Sequence, residues 1–358
     1  MTNRAMDWKN IYDFVHDFFD GLASVKLNGK WGFIDKTGKE VVPCKYNWVG
    51  SFSEGLTMVK LNGKWGYIDK TGKEICPIKY DYVYDFNQGF ARVKLNGKYG
   101  FIDKTGKEAI PFKYDDVWDF SEGLSMVKLN GKWGYIDTTG KEVIPCKYDY
   151  AYDFKEGLAR VRLNTKCGYL DKTGREVIPF NYDYLGPFKD ELACAGQKGE
   201  FGFIDTAGIE VIPCKYEDAN SFSGGFSAVK LKGKWGYIDK TGREICPYKY
   251  DWAYDFSEGL AQVELNRKYG VINSQGKEIL PLIFNLIEFV GSVIIVTLNR
   301  QYGVIDNNGE YILPCIYDDI DINDGVDIND GVIVARKSNT IYEFNQSGEL
   351  VKLFCDLS

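Results

Sequence analysis

The sequence predicts an all-β fold: tandem 34-residue hairpin or meander repeats in an open, twisted, solenoid-like array, with a closed β-propeller as the alternative. Three observations carry this expectation. A glycine recurs at a spacing of 34 residues as Gly32, Gly66, Gly100, Gly134, Gly168, Gly202, Gly236 and Gly270, and again as Gly303 after 33. Each regular copy sets turn signals such as Asn62-Gly63 and Asp69-Lys70-Thr71-Gly72 close together among β-favouring residues. The hairpin built on the Asn-Gly turn is apolar on both faces, so neighbouring copies have to shield it.

The unit from Gly55 to Phe86 shows how each element follows. Leu56 to Leu61 reads as a strand, Asn62-Gly63 as a two-residue type I′ turn, and Lys64 to Ile68 as the antiparallel return. That turn places Leu61 opposite Lys64, Lys60 opposite Trp65, Val59 opposite Gly66, Met58 opposite Tyr67 and Thr57 opposite Ile68. One face then carries Thr57, Val59, Leu61 and Ile68, the other Met58, Trp65, Tyr67 and the stem of Lys60. Alanine stands at the Thr57 position as Ala23, Ala91 and Ala159, which makes the hydroxyl there incidental. Gly66 marks a close approach of another chain segment. A third strand is expected over Glu74 to Cys76, halted by Pro77. Tyr80 to Phe86 alternates strictly and fits either a fourth short strand or an extended connector, before Phe86-Asn87-Gln88-Gly89 turns the chain.

The period makes residues 1–358 one repeat domain, with a partial N-terminal unit over 12–21, regular units over 22–315 and a degenerate C-terminal cap over 316–358. In a closed propeller, the Tyr12-to-Phe18 segment would complete the last unit. The segment Asp321 to Val326 is duplicated at once as Asp327 to Val332; its glycine does not fall where an EF-hand loop needs one, so a turn insertion is expected, not a calcium site.

A net charge of -7, with lysines interleaved among acids, gives no basis for nucleic-acid binding. No apolar run is long enough for a signal peptide or a membrane span, so a cytoplasmic location is expected if the start is native, with signal-independent export as the other route. Cys44, Cys146, Cys214 and Cys315 share a position filled elsewhere by Ile78, Phe112, Phe180, Tyr248 or Leu282. Cysteine therefore acts there as a small hydrophobe, and the nine thiols are expected to be reduced and mostly buried.

The recurring "GLAxVKLNGKWGYIDKTGKEVIPxKYDYxxxFxEG" resembles the WG-repeat, or KWG-repeat, family of bacterial proteins over Tyr12 to Val351. The resemblance implies a β-repeat scaffold and no catalytic signature. Cys167 in place of the aromatic residue, and Glu191 with Gly196, depart locally from the pattern.

Catalysis needs unlike groups at one place. The chain has one histidine, His16, and its recurring aspartates, among them Asp35, Asp69, Asp103 and Asp137, each open a turn. No catalytic residue, metal ligand or cofactor is assigned. The candidate partner-binding residues are the aromatic ribbon Tyr80, Tyr82, Tyr84, Tyr148, Tyr150, Tyr152, Tyr250, Trp252 and Tyr254. Tyrosine-rich patches suit a protein or peptide partner, with a glycan or cell surface as the second class. The position opposite Tyr67 varies as Ser24, Met58, Arg92, Met126, Arg160, Cys194, Ala228 and Gln262, as a tailored binding surface would. The expectation is a monomeric, non-catalytic scaffold that binds neither nucleic acid nor membrane.

Overall fold

The computed structural model of the chain describes residues 11–323, 332–338 and 340–355. Among these residues the fold is an all-β array of ten tandem four-stranded antiparallel sheets, each with a linear strand order and none closed into a barrel. Contacts divide the chain into two compact units, Met1–Asn181 and Tyr182–Ser358, and the division falls one residue before the end of the fifth sheet.

The second sheet shows the plan. Its strands are Trp48–Val49, Leu56–Leu61, Lys64–Asp69 and Glu74–Tyr80, bonded in that order. The central hairpin pairs in the register expected from the two-residue turn, from Leu61↔Lys64 to Thr57↔Ile68. Asn62 and Gly63 both take positive φ, at 50° and 83°, as a type I′ turn requires.

Two expectations about the unit are corrected. First, Pro77 does not halt the strand that starts at Glu74, which runs on to Tyr80. Trp65 pairs with Tyr80 while Tyr67 pairs with Cys76, so between these pairs Gly66 alone faces Pro77, Ile78 and Lys79. The excess arches over Gly66, where an added Cβ would stand 2.9 Å from both Cα and Cγ1 of Ile78. Proline is tolerated because this is an edge strand and the bulge asks for no ladder N–H from it. The position shared by Cys44, Ile78 and Phe112 is the residue laid over that glycine. Second, Tyr82–Val83 is a strand, but it belongs to the next sheet, pairing with Lys94 and Val93. Each sheet therefore takes its first strand from the tail of the preceding sequence unit. The N-terminal segment obeys the same rule: Phe14 and Val15 pair with Lys26 and Val25 in the first sheet, so the segment does not complete the last one.

Consecutive sheets are joined by a recurring core. Leu56, Tyr67, Cys76 and Tyr80 of the second sheet pack on Val83, Ala91, Val93 and Ile102 of the third. Tyr67 lies edge-on to Phe86 at 4.9 Å and donates its hydroxyl proton to the Tyr84 carbonyl. Tyr135 repeats this with Phe154 and the Tyr152 carbonyl, and Tyr237 with Phe256 and the Tyr254 carbonyl. The hydroxyl of Thr57 is not incidental. It donates to the Gly50 carbonyl at 2.9 Å, and Ser125 and Ser227 do the same to Trp118 and Asn220. In the variable column opposite Tyr67, Met126, Cys194 and Ala228 are buried and the other five residues are half-buried, so packing constrains part of it.

Eight cysteines among the described residues carry free thiols. Cys76, Cys194 and Cys246 are buried, whereas Cys44, Cys146, Cys214 and Cys315 are half-buried. The duplicated segment from Asp321 to Val332 falls mostly outside the described residues.

Candidate partner-binding surface

In the first eight sheets the first strand carries two residues, and strand alternation sends them opposite ways. The second enters the core, as Val83, Val117, Ala151, Leu185 and Ala253. The first points outward, and in most sheets it is a large ring. In the first unit Phe14, Trp48, Tyr82 and Tyr150 are exposed there; in the second, Tyr184 and Trp252 are.

The nine ribbon residues separate by this parity and by strand membership. Tyr80, Tyr148 and Tyr250 end the fourth strands of their sheets and are buried, each only 2% exposed, so they serve the core and present nothing to a partner. Tyr82, Tyr150 and Trp252 begin the next sheets and are 45%, 52% and 46% exposed. Tyr152 and Tyr254, two residues further on, are exposed, and Tyr84 is half-buried. Sequence reasoning missed Trp48, Trp118 and Tyr184, which are also exposed. The period alone marks them: each stands 34 residues from Tyr82, Tyr84 or Tyr150.

These rings are held, not loose. Trp48, Trp65, Tyr82 and Tyr84 form a run with successive centroids 5.2, 5.4 and 5.0 Å apart, all tilted or edge-on as ring quadrupoles prefer. Tyr150 and Tyr152 are 5.2 Å apart, and Trp252 stands on the buried Trp235 at 5.2 Å. One face of Tyr84 is occupied by the Arg92 guanidinium at 4.0 Å, which is itself tied to Asp119 at 2.7 Å; Arg160 covers Tyr152 at 3.8 Å. Burial raises the Tyr84 and Tyr254 hydroxyls above their ordinary pKa, so both stay protonated donors at neutral pH.

The groups that resemble catalytic parts are engaged in structure. His16 stacks on Trp31 at 5.3 Å, and its Nδ1 is 2.7 Å from the Ser24 hydroxyl. Asp103 accepts from the Thr105 N–H and hydroxyl and from the Lys107 N–H, and Asp35, Asp69, Asp137 and Asp171 repeat this pattern. Among the described residues no group of three or more His, Cys, Asp or Glu side chains is placed to hold a metal ion.

Tandem sheets with outward rings at a fixed register define the chain as an all-β repeat scaffold. It belongs to the WG-repeat family: the family described as "WG containing repeat" matches residues 11–31, 31–65, 65–99, 99–133, 133–167, 168–200, 201–235, 235–269, 269–300 and 302–340. Each internal match runs from one hairpin return to the next, so the sequence repeat straddles two structural sheets. No curated protein matches the sequence. Among solved structures the chain is similar to a eukaryotic initiation factor at 10% identity and a TM-score of 0.38, covering 93% of this chain and 95% of that one. It is also similar to Kluyveromyces lactis Hsv2 at 9% identity and a TM-score of 0.33, over 66% of this chain and 94% of that one. Porphyromonas gingivalis PorZ aligns at 10% identity and a TM-score of 0.27, over 97% of this chain and 52% of its own. Likeness at this level carries nothing about function.

Proposed function

We propose that the protein is a non-catalytic scaffold that binds a protein or peptide partner through the outward rings of its short first strands. One observation carries this reading: Tyr82, Tyr150 and Trp252 stay about half exposed, while the rings two residues earlier in the same ribbon are buried. Folding alone gains little from placing a large ring in water at the same register in six of the ten sheets, whereas partner recognition uses rigid aromatic anchors. The reading puts the chain in a reducing compartment such as the cytoplasm, supported by the free thiols among its described residues.

The test is affinity capture from extract, identification of the captured protein, and titration of the purified pair. Tyr82→Ala with Tyr150→Ala removes rings of the first unit, and Trp252→Ala with Tyr254→Ala those of the second. Loss of affinity in either pair with an unchanged circular dichroism spectrum supports the proposal. A partner bound by both variants as tightly as by wild type overturns it, as does selective binding to a panel of cell-wall glycans in place of any protein.

A further inference from the structure

In the first four sheets a lysine occupies one register position. Lys26, Lys60, Lys94 and Lys128 pair on one side with Phe14, Trp48, Tyr82 and Asp116, and on the other with Trp31, Trp65, Tyr99 and Trp133. Their ammonium groups lie 5.5, 5.1, 5.0 and 5.5 Å from the centroids of those last four rings. Nearby Lys64, Lys98 and Lys132 are instead neutralised by Asp81, Asp115 and Asp149. Among the described residues the ring-borne set forms no ion pair.

Lys60 is distinctive in its surroundings. The position held by Asp81 and Asp115 in the following sheets is Asn47 here, whose Oδ1 accepts the Asn62 N–H at 2.9 Å. The result is an open groove of about 760 Å³ lined by Trp48, Met58, Lys60, Trp65 and Tyr82, with no carboxylate in its lining. The adjoining groove of about 630 Å³ is lined by His16, Asp17 and Asp85 among others, and would repel an anion.

We propose that the Lys60 groove seats an acidic, extended peptide segment of the partner. A side-chain carboxylate rests on the Lys60 ammonium, and a neighbouring aliphatic side chain lies between Trp48 and Tyr82 over Met58. This rests on the protein-binding reading of the aromatic surface and deepens it by naming the partner's chemistry. The Lys60 stem is half-buried and its head is already held over Trp65, so little freedom is lost when an anion arrives. A sugar fits less well, because its hydroxyl protons need acceptors and the lining has no carboxylate. A polyanion meets a chain of net charge -7, so the complementarity is local and suits a short acidic segment.

The test titrates the full chain by calorimetry with a blocked hexapeptide of alternating Glu and Leu, and with its Gln and Leu counterpart. The Glu peptide is expected to bind about fivefold more tightly, the scale of one exposed ion pair. Lys60→Met, which keeps an unbranched stem on Trp65, is expected to erase that preference, and Lys230→Met in the second unit to leave it intact. Equal affinity for the two peptides overturns the inference, as does a preference that survives Lys60→Met, no binding of either at millimolar concentration, or Lys60-dependent binding of oligogalacturonate in their place. A natural partner lost in the ring variants but indifferent to Lys60→Met would leave the scaffold reading standing and remove this one.

Discussion

Replacing Gly134 by alanine puts a methyl group into the bulge of the neighbouring strand Glu142–Tyr148. The added Cβ would stand 2.5 Å from the Ile144 oxygen, 2.6 Å from the Cys146 nitrogen and 2.7 Å from the Pro145 carbonyl carbon. Carbon contacts are comfortable at about 3.5 Å and beyond, so the strand must lift by nearly an ångström. All three obstacles are backbone atoms that no rotamer change can move, which puts the cost at the upper end of overpacking, about 3 kcal/mol. Gly134 does not have a positive φ, so the substitution adds no conformational strain. Gly131→Ala is the converse case, with φ at 80° and nothing within 4 Å of the new Cβ, and should cost about 1 kcal/mol from conformation alone. Gly270→Ala meets Leu280 oxygen at 2.8 Å and otherwise only Leu282 atoms beyond 3.0 Å, so it should fall between them. Urea unfolding followed by circular dichroism ranks the three by midpoint, a comparison that does not require two-state behaviour of a repeat array. A Gly134→Ala midpoint equal to wild type, or one less affected than Gly131→Ala, would refute the close-approach explanation.

Tyr135→Phe should lower stability by about 1 kcal/mol, because the Tyr152 carbonyl loses its 2.6 Å donor while the ring packing on Phe154 is kept; a neutral effect in thermal melts would assign the joint to ring contact alone. Alkylation before denaturation should spare Cys76, Cys194 and Cys246, where burial both blocks access and pushes the thiols up to about 12, 12 and 11; mass mapping that finds them modified as fast as Cys44 would contradict that burial. Thiol counting after denaturation without reductant should recover most of the nine, and four disulfides would exclude the reducing setting. Hydrogen bonds from Thr37, Thr105, Thr139 and Thr173 hold Asp35, Asp103, Asp137 and Asp171 below the usual carboxylate range, Asp171 at about 2. Depressed folded-state pKa values stabilise the fold above the unfolded value and lose that contribution as pH falls through the folded one, so the melting temperature should decline between about pH 4 and pH 2.

The central hairpin was legible in full because two local rules determine it. Asn-Gly sets the turn type, the turn sets the register, and the register assigns faces, so Val59 opposite Gly66 needed no tertiary information. The bulge was half legible. Gly66 announced a close approach, but Pro77 read as a stop because the sequence does not show that its strand is an edge, where a missing N–H costs no ladder bond. The sheet boundary was hidden for a related reason: a period of 34 residues is the same wherever the cut is placed, so Tyr82 could be assigned to either neighbour. That ambiguity blurred the site as well. Tyr80 and Tyr82 share one parity of an alternating ribbon, yet the first ends a sheet under the next one's core and the second opens a sheet at its outer edge. Parity predicts that the two point the same way only while they lie on one strand.

Titrations of an identified partner that set Tyr82→Ala with Tyr150→Ala against Tyr80→Phe with Tyr148→Phe decide whether the outward rings of the short strands are the binding residues. The first pair removes exposed rings and should leave the melting temperature nearly unchanged while weakening binding at least tenfold, about 0.7 kcal/mol or more for each ring. The second pair alters only buried hydroxyls and should leave affinity as in wild type. Full affinity in the first pair, in a correctly folded protein, would contradict that role.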